Sequence, residues 1–397
     1  MLTNDLHGYL RAKVFNGEQV HFEDVKLKLI QLLDINSQGL IANTLSDTAA
    51  TIVNAFPEER YELKFLEGIE SSDYQNRAMK VLPKTIVSPE QHLYAINDGF
   101  VAFINNYPFI GSPNGIYLDI GSRYSALASI PDISQYISTL PVITNTGQGC
   151  VISDDCWQPA NYCHWMFDWL TRLSLLPIDL TGNISIPLPI ASLGKWVTNS
   201  LDNLELGVTL TPLYFSSDVI FRFEKLFVSS TLGAPIPHPA NKMSSINVNF
   251  LRSKFSKNEK LEEKSGLRIY IDRADAKRGA GINFIGDLDL FLKQNNIQKV
   301  ILGELSIQEQ ANIFSNADLV IGLHGAGLTN IVFCKIGTKV VEIFSPNFGS
   351  PAYAITAGKL QLDYIPLTGR VISQDAHKDI AHQTVYFDLD VLKHYLK

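Results

Sequence analysis

The stretch that decides the fold is Asp318-Leu319-Val320-Ile321-Gly322-Leu323-His324-Gly325-Ala326-Gly327-Leu328-Thr329-Asn330. Residues 318–322 form a continuous apolar run, which is typical of a strand buried in a parallel sheet. A turn of small residues follows, and residues 326–334 have the composition of a short helix. The pattern predicts a strand, a tight turn and a helix at the carboxyl edge of a parallel sheet, where ligands bind in such folds.

The same alternation extends to both sides of this stretch. Further strands are predicted at 267–271, 300–302 and 339–344, and helices at 284–295 and 307–316. Apolar strands separated by helical segments of about ten residues indicate βαβ units and a doubly wound α/β sheet.

The chain ahead of this region divides into two further parts. Residues 1–78 contain amphipathic stretches and are predicted to form an N-terminal helical extension. Residues 79–235 combine short alternating strands and glycine-containing turns, as in antiparallel hairpins, with a helix over 162–176. The proline-rich stretch 233–239 is the predicted linker, so residues 236–397 are expected to form the C-terminal domain.

Composition excludes several classes of protein. The 397 residues exceed what one hydrophobic core organises, and 46% hydrophobic with 18% charged residues argues against a disordered chain. The net charge of −7 argues against a dedicated nucleic-acid-binding protein, which normally carries a basic surplus. The sequence has no apolar run of about 18 residues and no secretory signal pattern. Four cysteines without a disulfide framework then predict a reduced, cytoplasmic protein.

The turn after the deciding strand offers the chemistry of an anion site. Its small and polar residues, together with those of the helix that follows, are His324, Gly325, Ala326, Gly327, Thr329 and Asn330. Small residues let backbone N–H groups approach an anion, and the helix N-terminus adds a favourable dipole. The histidine can hydrogen-bond a phosphate or a sugar oxygen, although a tight turn with a capping histidine is the alternative. Neither a dinucleotide-binding fingerprint nor a P-loop is present.

A second polar group lies on the helix predicted from residue 162. At about 100° per residue, His164, Asp168, Thr171 and Arg172 fall within one sector of an otherwise apolar helix. The histidine and the aspartate are four residues apart and can form a hydrogen bond. Either this polar stripe satisfies itself and anchors a core helix, or it faces an interdomain cleft and deprotonates an acceptor hydroxyl. The spacing leaves both interpretations open.

Charged residues near strand ends complete the candidate site. Arg273, Lys277 and Arg278 follow a strand and could neutralise a diphosphate, with a solvated turn as the alternative. Glu342 lies in a buried strand and requires a partner, either ribose hydroxyls or a local backbone group; Glu304 is a weaker case of the same logic.

Two Asp-x-Asp triplets have a simpler interpretation. Asp287-Leu288-Asp289 and Asp388-Leu389-Asp390 each open an amphipathic helix, where acidic residues cap the first turn. We therefore predict helix capping at both triplets rather than metal binding. The His, Cys and Asp residues also lack a zinc-site spacing.

Taken together, these segments resemble the glycosyltransferase family 61 proteins, often labelled capsular polysaccharide biosynthesis proteins. The matching segments are Asn161-Tyr162-Cys163-His164-Trp165-Met166-Phe167-Asp168 with Arg172-Leu173, Tyr270 through Arg278, Glu304-Leu305-Ser306 with Gln310, Ala317 through Asn330, and Gly337 through Ile343. They occur in the family's order between about residues 90 and 370. Asp272 and Cys163 depart from the family pattern, which has Ser and an aromatic residue at these positions.

The resemblance implies a GT-B-like architecture, in which two Rossmann-like domains face a cleft and the C-terminal one holds a nucleotide-sugar. It implies inverting transfer without a metal or other cofactor, mainly from UDP-sugars such as UDP-N-acetylglucosamine or UDP-xylose. Asp168 is the first candidate for the general base, and His164 would orient or replace it. Asn161, Trp165 and Arg172 are expected on the acceptor side of the cleft.

The expected partners are the donor and a glycan or lipid-linked glycan acceptor of a bacterial surface polysaccharide. A lipid-linked acceptor would place the protein at the inner face of the membrane, as a peripheral protein. The sequence leaves the oligomeric state open. Two rival functions remain: a nucleotide-sugar epimerase, which needs no acceptor, and a non-catalytic sugar-binding subunit.

Overall fold

The computed structural model describes residues 42–43, 51–63, 84–105, 107–113, 115–121, 133–153, 161–190, 194–230, 243–256, 266–274, 281–346, 350–371 and 384–396. The chain divides into two compact units. The first contains the described residues up to 58, 89–197 and 205–247, and the second contains those of 59–88, 198–204 and 248–397. The predicted boundary at residue 235 therefore falls within a stretch that belongs to the first unit. The predicted linker at 233–239 lies outside the described residues.

The strands are β1 (Ala42–Asn43), β2 (Thr51–Phe56), β3 (Glu59–Glu62), β4 (Thr85–Ser88), β5 (Gln91–Asn97), β6 (Phe100–Ile104), β7 (Tyr107–Ser112), β8 (Gly115–Gly121), β9 (Val142–Val151), β10 (Asn183–Pro189), β11 (Thr209–Phe215), β12 (Val219–Ser229), β13 (Leu267–Asp272), β14 (Gly281–Ile285), β15 (Ile297–Ile301), β16 (Ala317–Leu323), β17 (Lys339–Phe344), β18 (Asp363–Thr368) and β19 (Thr384–Asp388). The α-helices are α1 (Ile133–Thr139), α2 (Tyr162–His164), α3 (Lys195–Asp202), α4 (Ser245–Phe255), α5 (Leu288–Gln294), α6 (Ile307–Asn316), α7 (Ala352–Lys359) and α8 (Leu389–Lys393). None of these helices combines the length and the apolar composition needed to cross a membrane.

The first unit is built on a mixed sheet of ten described strands. Its order is β1-β8-β7-β6-β12-β9-β10-β11, with β5 paired to β12 and β2 paired to β5. Strands β6, β7 and β8 are antiparallel neighbours, as the turns between them predicted. Strands β12, β9, β10 and β11 run parallel, and the crossover from β9 to β10 contains the helical segment 162–175. That segment therefore follows the carboxyl end of a parallel strand.

The described residues of the predicted N-terminal extension are strands rather than helices. Strand β2 pairs with β5 in the first unit, whereas β3 pairs with β4 in the second. From Val53 to Phe56 in β2 and throughout β3, exposed and partly buried residues alternate, which is the period of two that a strand produces. The amphipathic stretch at 22–33, on which the helical prediction rested, lies outside the described residues.

The second unit contains the predicted doubly wound sheet. Five parallel strands lie in the order β15-β13-β16-β17-β18, which is 2-1-3-4-5 in chain order. Buried apolar residues such as Val320, Ile321, Val340 and Val341 fill its centre. The strand order reverses between β13 and β16, and the crevice at this reversal, outside the carboxyl ends of the strands, is where such sheets bind ligands.

One predicted helix of the second unit begins later than predicted. Residues 284–285 of the predicted helix 284–295 end strand β14, which pairs with β19, and α5 covers Leu288–Gln294. Gly286 has φ +113° between them, a conformation that favours glycine. Asp287 accepts a hydrogen bond from the backbone N–H of Leu290 at 3.0 Å, and Asp388 accepts one from Asp390 at 2.9 Å, which confirms the capping prediction.

Candidate functional site

The glycine-rich turn lies at the reversal of strand order in the second unit. Its first residue, His324, directly follows β16, and its backbone N–H donates to the carbonyl of Ile343 at 2.8 Å. Arg273, the first residue after β13, donates from Nη1 to the carbonyl of His324 at 2.8 Å. A Cβ on Gly325 would lie 2.9 Å from the same nitrogen, so a larger residue there would displace the end of the Arg273 side chain. The turn and the first residue of the basic cluster therefore form one structure.

Buried acidic and aromatic residues fix the His324 ring. Nδ1 lies 2.5 Å from Glu342 Oε1, and the ring stacks on Phe344 with centroids 5.2 Å apart. The second carboxylate oxygen, Oε2, accepts a hydrogen bond from the Tyr364 hydroxyl. Glu342 is fully buried, whereas the His324 side chain is 14% exposed. The ring is therefore held in place by Glu342 at Nδ1 and by the Phe344 ring on its face.

The second polar group lies on a helical segment whose geometry changes twice. Tyr162–His164 is α-helical, Trp165–Trp169 is a π-turn and Leu170–Leu175 is a 3₁₀-helix. Asn161 caps its start by accepting a hydrogen bond from the backbone N–H of Cys163 at 2.9 Å. The predicted extent of the helix is confirmed, although its geometry is not regular. π-turns within helices occur frequently at functional sites.

His164 and Asp168 form an acid–histidine pair on this segment. Nδ1 lies 2.6 Å from Oδ2, and the two side chains are 23% and 2% exposed. The other carboxylate oxygen, Oδ1, is buried without a hydrogen-bond partner among the described residues. Burying a carboxylate oxygen in this way is costly, so the self-satisfied interpretation of the stripe does not account for it. The imidazole is the member of the pair that can reach a substrate, and the carboxylate lies behind it.

Both clusters lie within one segment of the chain that matches a known protein family. Residues 162–341 match the model of the family Glycosyltransferase 61. Over that range the chain is similar to the glycosyltransferase 61 family. Over 69 residues it is 35% identical to a beta-1,2-xylosyltransferase from Oryza sativa subsp. japonica and, equally, to a beta-1,2-xylosyltransferase from Arabidopsis thaliana. These alignments cover 17% of this chain and only 13% of each relative.

Several residues that the sequence predicted to bind a ligand have no exposed surface in this structure. Thr329 lies 3.4 Å from the Tyr353 hydroxyl, and Asn330 donates to Gln310 at 2.8 Å and to the carbonyl of Gly327 at 3.2 Å. Gln310 in turn donates to the carbonyls of Leu302 and Leu305 at 3.0 and 3.1 Å. Thr329 and Asn330 have no exposed surface, so in this structure they stabilise the helix 326–333 rather than present a polar group to a ligand.

The predicted ribose contact of Glu342 also has no exposed surface in this structure. Within the second unit, both of its carboxylate oxygens have a partner: His324 at Oε1 and Tyr364 at Oε2. The acidic residue that is exposed at this sheet edge is Glu304, in the 3₁₀ turn after β15. Lys277 and Arg278 lie outside the described residues, so Arg273 represents the basic cluster here.

The residues predicted for the acceptor side are divided in the same way. Asn161 is half-buried, whereas Trp165 has no exposed surface and Arg172 is 3% exposed. Arg172 donates from Nη1 to the carbonyl of Ile152 at 2.6 Å, directly after β9. The arginine therefore anchors the helical segment to the strand that precedes it. Contact of Trp165 and Arg172 with an acceptor would require exposure that this structure does not give them.

Arg252 and Tyr364 are positioning residues that the sequence did not reveal. Arg252, on α4, donates to the carbonyls of Val332 and Cys334 at 2.7 and 2.5 Å and so closes the far end of the helix 326–333. Burial lowers the pKa of Arg252. Both residues reach their partners through tertiary packing, and no local motif surrounds them. Among the described residues, no three His, Cys, Asp or Glu side chains are close enough together to hold a metal ion.

Proposed function

We propose that this chain is an inverting, metal-independent glycosyltransferase that moves a sugar from a UDP-sugar to the hydroxyl of a glycan. The observation that carries the proposal is the His324 turn. It follows β16 where the order of the parallel strands reverses, and the Arg273 guanidinium lies against it within the range of the family match. Anion binding at such an edge is the general property of doubly wound sheets.

The donor diphosphate is proposed to bind at this turn. Arg273 supplies a charged, forked donor, and Gly325, Ala326 and Gly327 are small, partly exposed residues beside it. Lys277 and Arg278, which follow Arg273 closely in the sequence, are proposed to add charge. The donor sugar is proposed to be a pentose such as xylose, because both named relatives are xylosyltransferases, with N-acetylglucosamine as the alternative. A GT-B-like cleft that brings an acceptor to this donor belongs to the same proposal.

The base is proposed to be His164, with Asp168 behind it. This assignment reverses the order expected from the sequence, because the carboxylate is 2% exposed and the imidazole 23%. The acceptor hydroxyl attacks the anomeric carbon and its proton passes to Nε2 of His164. The bond from the anomeric carbon to the diphosphate oxygen breaks, and its electron pair leaves with UDP. Asp168 fixes the tautomer and balances the charge of the imidazolium, as a carboxylate does in other acid–histidine pairs.

The acceptor is proposed to be a bacterial surface polysaccharide or its lipid-linked precursor. The basis is the resemblance of the sequence to proteins of capsular polysaccharide biosynthesis. A lipid-linked acceptor would bring this chain to the cytoplasmic face of the membrane as a peripheral protein.

Nucleotide binding tests the donor half of the proposal. Thermal unfolding with UDP, GDP or CMP should show a raised melting temperature with UDP, because a ligand that binds only the folded state stabilises it. Incubation with UDP-xylose or UDP-N-acetylglucosamine and a hydroxyl acceptor should then give a glycoside of inverted anomeric configuration by NMR. If none of the three nucleotides stabilises the protein, the proposal fails.

Asp168→Asn tests the base. We expect unchanged UDP affinity and a kcat lower by about 10² to 10⁴, because the amide no longer fixes the tautomer or balances the charge of His164. Asp202→Asn, the same change at an exposed position at the end of α3, is the matched control and should leave kcat unaltered. A kcat unchanged by Asp168→Asn would contradict the assignment of this pair as the base.

A further inference from the structure

A basic cavity lies at the amino ends of the parallel strands in the second unit, on the sheet edge opposite the glycine-rich turn. Its volume is about 290 Å³, and its charged lining residues are Arg268 in β13, Asp318 in β16, Lys335 in the turn before β17 and Lys339 in β17. Three cations and one carboxylate therefore line it, in a chain whose net charge is −7. The cavity attracts anions although the chain as a whole repels them.

Arg268 is the cation of this cavity that can bind a ligand without losing a partner. Its side chain is half-buried and makes no hydrogen bond or ion pair in the described part of the chain. The carboxylate across the cavity is engaged elsewhere, because Asp318 Oδ2 accepts a hydrogen bond from the backbone N–H of Gly266 at 2.9 Å. A guanidinium offers N–H donors in a fork that fits two oxygens of a phosphate group.

An apolar side chain is exposed beside the three cations. Ile336 also lines the cavity, is 71% exposed, and is the second residue of a turn in which the N–H of Thr338 donates to the carbonyl of Lys335 at 3.1 Å. Gly337 has φ +78°, as the third position of a type II turn requires. Gly, Pro, Asn, Asp and Ser dominate turns of this kind, so an exposed isoleucine here has no local structural reason.

Hydrogen bonds fix this turn to the rest of the second unit. The Gly337 N–H donates to the carbonyl of Gln361 at 3.0 Å. The Thr338 hydroxyl donates to the carbonyl of Ala317 at 2.9 Å, and Thr338 is 3% exposed. Because the backbone is already ordered, Ile336 can enter an apolar phase without the entropy cost of ordering a loop.

We propose that this face of the second unit docks the chain on an anionic membrane surface, with Arg268 on a lipid phosphate and Ile336 inserted among the headgroups. The inference rests on the proposed function, in which a lipid-linked acceptor brings the chain to a membrane. The exposed isoleucine favours a bilayer over a soluble anion, because only the bilayer offers it an apolar phase. Each Lys or Arg near an anionic surface strengthens binding about fivefold, so the docking is reversible and depends on ionic strength.

Co-sedimentation of the full chain with lipid vesicles tests this docking surface. The chain should bind vesicles of phosphatidylcholine with about 30% phosphatidylglycerol, and should bind poorly to phosphatidylcholine alone or at high salt. Arg268→Gln should lower the partition coefficient about fivefold, and Ile336→Ser about tenfold. Asp318→Asn removes a negative charge but keeps an oxygen for the Gly266 N–H, so it should raise the coefficient about fivefold. Structural damage would weaken binding, so this rise separates an effect of charge from damage.

Matched controls and a nucleotide measurement complete the experiment. Arg222→Gln on β12 and Ile178→Ser, both at exposed positions of the first unit, should leave the partition coefficient unchanged. Equal binding to both kinds of vesicle, or unchanged coefficients for Arg268→Gln and Ile336→Ser, overturns the inference. If inorganic phosphate stabilises the wild type but not Arg268→Gln, and vesicles do not bind, the cavity takes a small soluble anion and the inference is also wrong. A chain that UDP stabilises but that binds no vesicles overturns only the inference, whereas a chain that UDP does not stabilise overturns the proposed function on which it rests.

Discussion

The substitution Lys359→Met should change the pH dependence of stability in a way that can be calculated from the structure. Lys359 ends α7 and is 8% exposed, with its Nζ 2.5 Å from Ser88 Oγ and 5.1 Å from the centroid of the Tyr61 ring. Burial lowers the pKa of this lysine from 10.5 to about 7, against the charge of Glu59, which raises it. Methionine keeps the length and the apolar character of the side chain without an ionisable group.

The sign and the magnitude follow from the protons bound in each state. Between about pH 7 and 10.5 the unfolded lysine holds a proton that the folded one lacks, so its contribution to the free energy of unfolding rises with pH across that window. At about 1.36 kcal/mol per pKa unit, the penalty is fully present below about pH 7 and amounts to about 5 kcal/mol. Methionine removes this penalty but also loses the Ser88 hydrogen bond and the ring contact, which are worth about 1–2 kcal/mol together. The variant should therefore be more stable by about 3 kcal/mol near pH 7 and slightly less stable near pH 10.5.

Urea unfolding followed by circular dichroism at about pH 7, 8.5 and 10 measures this difference. Other groups titrate in the same window in both proteins, so their contributions cancel when the variant is compared with the wild type. Lys393→Met on α8 removes a lysine that is 59% exposed and should leave the pH dependence unaltered. A difference between Lys359→Met and wild type that stays constant from pH 7 to 10 would refute the reasoning.

Two further substitutions test how the turn is built. Gly325→Ala should weaken UDP binding about tenfold in isothermal titration calorimetry, because the added Cβ would lie 2.9 Å from Arg273 Nη1 and displace a charged donor. Gly281→Ala, where a Cβ meets nothing within 4 Å, is the control in the same titration. Arg252→Met should lower the free energy of unfolding by about 2–3 kcal/mol in urea titrations, because two buried carbonyls lose charged donors, and an unchanged midpoint would contradict that role.

The parts of the fold that the sequence predicted are those set by local patterns. The strand of residues 317–323, the turn after it and α6 follow from an apolar run, small residues and a capping box at Ser306. The pair of His164 and Asp168 was also predictable, because a spacing of four residues brings side chains together on any helix. Local patterns do not specify which strands become neighbours, so the contact of Tyr364 with Glu342 across β17 and β18 had no signature in the sequence.

The burial of several predicted site residues could not be derived from the sequence. Thr329 and Asn330 are polar residues after a glycine-rich turn, and a sequence pattern cannot distinguish a hydroxyl that faces a ligand from one that faces the protein. The same applies to Asp168, which the sequence favours as the base, whereas the exposed fractions of the pair are the reason why we propose His164. In each case the type of residue was informative about chemistry, but only the packing decided what it could touch.

Two acid–histidine pairs in this chain share one arrangement. In each, a buried carboxylate oxygen lies within 2.6 Å of Nδ1 of the histidine. In the proposed function, His164 accepts the proton of a hydroxyl, whereas His324 lies at the turn proposed to bind the diphosphate. The carboxylate alone therefore cannot determine what the histidine does, and the difference must come from the group that approaches the ring.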